Sequence, residues 1–231
     1  MIDFILHPYS GVTSVVGEIL KTDLSFIPKE VLEQASERGT HVHNYIESYF
    51  KGEKYLLPIE LWGYRDSFHE WLDQFESVEP LHLEYKFYDS DYEVKGSVDF
   101  IGYLDGELTL IDWKTSSSMR GETLLSANLQ SLIYKSMVEK HLGIEPKTRV
   151  VAIHKDSYTD LPVETTPVLP LLDFYHYKKK FVKKRKPVLY DLLYDGEVVE
   201  SGITKRKANE IVKERWYRGA NKELFSTKRL N

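Results

Sequence analysis

The chain has 231 residues, 42% of them hydrophobic and 29% charged, and no cysteine. That composition supports a large buried core and excludes disulfides, thiolate zinc sites and cysteine-ligated iron–sulfur clusters. No apolar run approaches the ~18 residues of a membrane span, and the amino terminus lacks signal-peptide form, so a soluble, cytoplasmic protein with no membrane partner is expected.

In chain order, Val31, Leu32, Ala35, Val42, Tyr45, Ile46 and Tyr49 share one stripe and predict a helix over 29–50. A second helix is predicted over 59–75, with Trp62, Phe68, Trp71, Leu72 and Phe75 turned inward. Residues 81–89, 93–104 and 107–115 read as strands. Helical periodicity returns over 122–141 and stops at Gly143 and Pro146. A buried-type strand over 148–155 follows, then a helix over 171–184 that begins apolar and ends basic. Asp195-Gly196 signals a further hairpin, followed by a short charged helix from about 205 to 216. Helices alternating with an antiparallel central hairpin argue for an α/β fold, a central mixed β-sheet covered by helices on both faces. Residues 1–186 are expected to form the core, and 187–231 a C-terminal basic hairpin–helix appendage packed on or beside it.

The net charge of −5 is unevenly spread. Residues 176–231 hold sixteen Lys and Arg against seven Asp and Glu, whereas residues 1–175 hold fifteen against twenty-nine. An acidic body with a basic tail can meet a polyanion through the tail and keep its carboxylates for metal. A basic run such as 178–186 serves equally as a solvated helix face.

The chemistry concentrates at one hairpin. Asp105-Gly106 is a preferred pair for a two-residue turn with positive φ at both positions. Such a turn sets Leu104 against Glu107 and Asp99 opposite Asp112, with Lys114 on the face of Asp112. Opposed Cβ atoms lie ~4.5–5.5 Å apart, and two carboxylates that close repel unless something neutralises them. A divalent cation would do so; an ion network with Lys114 at the sheet edge is the plainer account. Val98, Phe100, Ile111 and Trp113 are expected together on the opposite, core-facing side.

Two other pairs are suggestive. His43 and Glu47 share a helix face at i,i+4. His41 and His43 point in nearly opposite directions on a helix, so both join one site only if the segment is a strand, as a small-molecule metallohydrolase would need. Gln130 and Tyr134, also four apart, lie on the helix after the hairpin. Either pair alone is ordinarily just a polar helix edge.

Taken in order, these residues resemble the RecB-like branch of the PD-(D/E)XK nuclease superfamily, exonucleases of phage and mitochondrial-genome-maintenance type. The matching pieces are Gly39-Thr40-x-x-His43, Glu84 in the preceding strand, Gly96-Ser-Val-Asp99, Asp112-Trp113-Lys114-Thr115 and Gln130-x-x-x-Tyr134. The opening from His7 to Thr13 is similar to the start of such exonucleases, and the likeness spans about 30–155.

The resemblance implies a restriction-endonuclease-like core and a metal-dependent nuclease acting on DNA, single-stranded or with free ends. It implies that His43, Asp99, Asp112 and the Trp113 carbonyl ligate Mg²⁺ or Mn²⁺. Lys114 would orient and help deprotonate the attacking water, and Glu84 would support the metal shell or Lys114. Gln130 and Tyr134 would contact the strand, Tyr134 by stacking on a base. The basic run Lys183, Lys184, Arg185 and Lys186 is expected to hold the backbone electrostatically. Val98 replaces the proline that usually precedes the first Asp, and the absence of cysteine sets the chain apart from cluster-bearing relatives. A non-catalytic nucleic-acid-binding module or an endonuclease of the same superfamily is the alternative.

Overall fold

Residues 9–116, 118–181, 189–217 and 221–230 are described in the computed structural model. They separate into two compact units, Met1–Lys179 and Lys180–Asn231, each taken by itself below.

The first unit runs β1 (Ser10–Gly11), α1 (Val12–Leu20), α2 (Lys29–Lys51), α3 (Trp62–Leu72), β2 (Val78–Asp89), β3 (Val94–Leu104), β4 (Glu107–Lys114), α4 (Gly121–Leu142), β5 (Lys147–Ile153), β6 (Tyr158–Pro162) and α5 (Leu169–Phe181). The predicted helix over 29–50 is α2, which buries Val42 and Ile46. Asp105 and Gly106 take φ of 47° and 80°, and the turn they form sets the expected ladder from Leu104↔Glu107 to Phe100↔Ile111. Gly143 ends α4 at φ 68°, where a left-handed residue costs glycine little. Because α4 links β4 to a parallel β5, the sheet is mixed, as a helical crossover requires.

Helices cover both faces. On one, α1, α4 and α5 bury Val15, Ile133, Met137 and Leu172 against Val94, Val98, Ile101 and Leu110. On the other, α2 and α3 bury Ile46, Phe68 and Trp71 against Phe100, Leu104, Ile111 and Trp113. The fold is the expected α/β arrangement.

One expectation is corrected. Val98 packs in the α1/α4 core, whereas Phe100 packs in the α2/α3 core. β2 changes faces at the same level, since Phe87 and Tyr85 go with the first core and Leu83 with the second. Glu84, between them, takes φ 48°, outside the strand region that keeps strict alternation. The strict period-2 reading therefore fails at Glu84 and Asp99.

Gly96 lies just below this crossing. A Cβ there would sit 2.7 Å from ring atoms of both Phe87 and Tyr134, and both rings are buried. Gly96→Ala is expected to cost about 1–3 kcal/mol, the penalty of overpacking. The midpoint of urea unfolding checks it.

The second unit contains β7 (Leu189–Tyr194), β8 (Glu197–Thr204), α6 (Lys205–Tyr217) and β9 (Phe225–Arg229). Asp195 and Gly196 turn with φ of 51° and 82°, and the strands order β8-β7-β9. Among its described residues, Leu192 and Ala208 are fully buried. The third strand, β9, has no counterpart in the sequence reading. Among the described residues no helix is long and apolar enough to cross a membrane.

Candidate active site

Three neighbouring strands bring one acidic residue each to the same level. The pairs Leu83↔Phe100 and Tyr85↔Val98 bracket Glu84 and Asp99. The β3–β4 ladder closes at Phe100↔Ile111, one position short of Asp99 and Asp112. Beyond it the Trp113 N–H donates to Asp99 Oδ2 at 2.7 Å instead of to a backbone carbonyl of β3. On that edge β3 then pairs with β1 at Val94 and Lys95, so β3 and β4 part where the carboxylates stand.

α2 completes the cluster from above. His43 Nδ1 lies 3.6 Å from Asp99 Oδ1, and single donor atoms of His43, Glu84 and Asp99 all lie within 4.8 Å of one another. Ser97 donates its hydroxyl to Glu84 Oε2 at 2.7 Å. His41 points elsewhere, to the Tyr55 hydroxyl at 2.7 Å. The segment is helical, which removes the paired-histidine metallohydrolase.

Asp112 is 2% exposed, and its Oδ2 lies 2.5 Å from Lys114 Nζ. Beyond this ion pair the buried oxygen has no hydrogen-bond partner among the described residues. Lys114 also donates to Gln130 Oε1 at 3.2 Å. Gln130 Nε2 donates in turn to the Tyr134 hydroxyl at 2.9 Å and, more weakly, to Thr13 Oγ1 at 3.4 Å. A polar chain thus runs from Asp112 through Lys114 and Gln130 to Tyr134 and Thr13.

The electrostatics follow from burial and neighbours. Burial pushes the Asp112 carboxyl up to about 6, against the pull of Lys114. Burial also pushes Asp99 up, but the His43 and Lys114 charges and the bonds from His43 and Trp113 outweigh it and hold Asp99 below the usual range. Glu84 is raised, by burial first and by the Asp99 charge second. For His43, burial lowers the imidazole pKa, and the Asp99 charge and hydrogen bond together more than offset it, leaving it raised.

The donor set suits a small divalent cation. Oxygens ligating Mg²⁺ at about 2.1 Å stand roughly 3–4 Å apart, close to the spread found for His43, Glu84 and Asp99. Asp112, buried beside them, is a further hard oxygen donor, and a cation there would relieve the repulsion among the three carboxylates. An imidazole in the set also suits Mn²⁺.

The structure brings some of the expected site residues together and sets others apart. Glu84 stands with His43 and Asp99, while Asp112 faces Lys114. Trp113 joins through its N–H to Asp99. Gln130 and Tyr134 are only 9% and 5% exposed, so Tyr134 has no open face for a base; stacking is ruled out by burial beneath α1 and β2. Lys183, Lys184, Arg185 and Lys186 lie outside the described residues. Thr13 and Ser97 were not singled out from the sequence. The spacing of Val12, Val15, Val16 and Ile19 marks α1 as an amphipathic helix and could have placed Thr13 at its start.

The family model of the PD-(D/E)XK nuclease superfamily matches residues 27–216. The chain belongs to that superfamily. The match starts at α2 and extends beyond residue 155 through the basic stretch to α6. A search of the curated proteins found no match. Several solved structures are similar, among them these two. SSO0001 is 18% identical with a TM-score of 0.42, over 75% of each chain. A candidate exonuclease of Eubacterium rectale is 13% identical with a TM-score of 0.46, over 74% of this chain and 79% of the other. Nucleases of this superfamily use divalent metals and act on nucleic acid. In this PD-(D/E)XK nuclease Asp112 and Lys114 lie two apart at the end of β4.

Proposed function

We propose that this nuclease is a Mg²⁺- or Mn²⁺-dependent exodeoxyribonuclease of the RecB-like branch, acting on single-stranded or ended DNA. The observation that carries the reading is the convergence of His43, Glu84 and Asp99 with the Asp112–Lys114 pair where β3 and β4 part. The preference for ends rests on the series of motifs from Gly39 to Tyr134.

His43, Glu84, Asp99 and Asp112 hold the metal. When bound, it stabilises charge on the phosphoryl oxygens and makes a nearby water more acidic. Lys114 sits beside Asp112 and holds the attacking water in line with the scissile bond. Its ammonium lowers the cost of removing that water's proton. Gln130, fixed by Tyr134 and Thr13, keeps Lys114 aimed at the site; these are positioning residues. Lys183, Lys184, Arg185 and Lys186 hold the phosphate backbone through charge alone.

End dependence is tested on a single strand offered in linear and in closed circular form. Degradation of the linear form alone, releasing short products from one end, is expected. Cutting of the circle at a comparable rate would mark an endonuclease. Alanine at all four basic positions is expected to weaken binding and flatten its dependence on salt, by about 0.7 in log–log slope per lost phosphate contact. Binding at several salt concentrations checks this.

A further inference from the structure

Beside the candidate metal ligands, a groove of about 480 Å³ runs between α2 and β2. Its helix wall is built at i,i+4 spacing: Ser36, Thr40 and Asn44 form one row, and Gly39, His43 and Glu47 the next. The opposite wall is Glu84 and Lys86. The groove therefore starts at two of the candidate metal ligands and leads away along neutral hydrogen-bonding side chains, with an exposed lysine on its rim. Glu47 is held by Lys51 at 2.5 Å, which tempers its repulsion of an anion.

We infer that this groove guides a single nucleic-acid strand to the metal site and that Lys86 is its phosphate contact. The inference rests on the nuclease reading and adds the substrate's path and form to it. A groove walled by one helix and one strand suits a single flexible strand lying along it. Ser36, Thr40 and Asn44 present hydroxyl and amide groups that suit sugar and phosphate oxygens and distinguish no base. Lys86 offsets the acidic character that Glu47 and Glu84 give the groove, and as a point charge on a flexible stem it suits a backbone passing in any sequence. Its contact is the same in the bound substrate and in the transition state, so it acts on KM and leaves kcat alone.

The test is a graded series at Lys86 in the full chain, with labelled oligothymidylate and oligoadenylate. Cleavage is followed in Mg²⁺, and binding by anisotropy with Ca²⁺ in its place. Lys86→Ala is expected to raise KM and Kd about tenfold for both oligonucleotides and to lower the salt slope by about 0.7. kcat and the metal-induced rise in Tm stay at wild-type values. Lys86→Arg restores affinity and Lys86→Glu weakens it further. Unchanged KM, Kd and salt slope in a folded Lys86→Ala protein would overturn the assignment even if the wild type cleaves DNA. A wild type that neither binds nor cleaves either oligonucleotide would overturn the nuclease reading as well. Equal affinity for blunt duplex and single strand would overturn the choice of substrate form.

Discussion

Replacing Lys114 with methionine is expected to lower kcat by about 10²–10⁴-fold, the usual worth of a group that assists proton transfer, while the metal-induced rise in Tm persists. The methionine keeps most of the stem's length and removes only the ammonium. That ammonium lies 2.5 Å from Asp112 Oδ2 and 3.2 Å from Gln130 Oε1, beside the donors proposed to hold metal and not among them. Its loss removes the charge that opposes the effect of burial on Asp112, so the carboxyl holds its proton to a pH above about 6. Metal binding near neutral pH should then release an extra proton, which calorimetry in buffers of different ionisation enthalpy detects. Single-turnover cleavage with thermal melts checks both halves. Loss of the metal-dependent shift would mean that Lys114 shapes the site instead of acting in it.

Asp112→Asn is expected to do the reverse, losing cleavage while stabilising the metal-free protein. Burial pushes the native carboxyl from the ordinary 3.8 up to about 6. The folded protein therefore holds this proton more tightly than the unfolded chain does. The stability linked to that proton is fully present below pH 3.8 and is lost as pH rises through about 6. Above that range the ionised carboxylate costs about 2–3 kcal/mol. Asparagine keeps the shape without the charge, so the metal-free variant should melt about 5 °C above wild type at pH 8 and level with it at pH 4. With Mg²⁺ the order inverts, since wild type gains a bound cation and the variant loses a hard donor. A metal-free variant less stable than wild type at pH 8 would show that the charged pair with Lys114 stabilises the fold.

The hairpin was legible because its turn is chemical. Asp105-Gly106 selects a turn with positive φ at both residues, and that turn fixes every pairing up to Phe100↔Ile111. The stripe of α2 was equally plain, and with it the placing of His43 away from His41. What failed was the extrapolation past the ladder's end. Strict alternation carried Val98 to the face of Phe100, but a left-handed glutamate at position 84 changes the face of β2 there. Nothing in a glutamate announces positive φ. The same break sets Glu84 with His43 and Asp99, a closeness that strand spacing alone does not reveal.

Tyr134 shows a second limit. Its four-residue spacing from Gln130 marks a shared helix face but not what covers that face. The cover is Thr13 on α1 and Phe87 on β2, contacts between residues far apart in sequence. The short strands β1, β6 and β9 were missed because they are two to five residues long, too brief for alternation to stand out from chance.

The most direct measurement is the degradation of end-labelled single-stranded DNA by wild type and by Asp99→Ala, in Mg²⁺, in Mn²⁺ and in EDTA. Asp99 bonds the Trp113 N–H and stands beside His43 and Glu84, so it joins the proposed metal ligands to the strand that carries Lys114. Metal-dependent cleavage by wild type, abolished by EDTA and by Asp99→Ala, is the predicted result. A folded wild type that leaves DNA and RNA intact with either metal, or an Asp99→Ala protein that still cleaves at the wild-type rate, would contradict it.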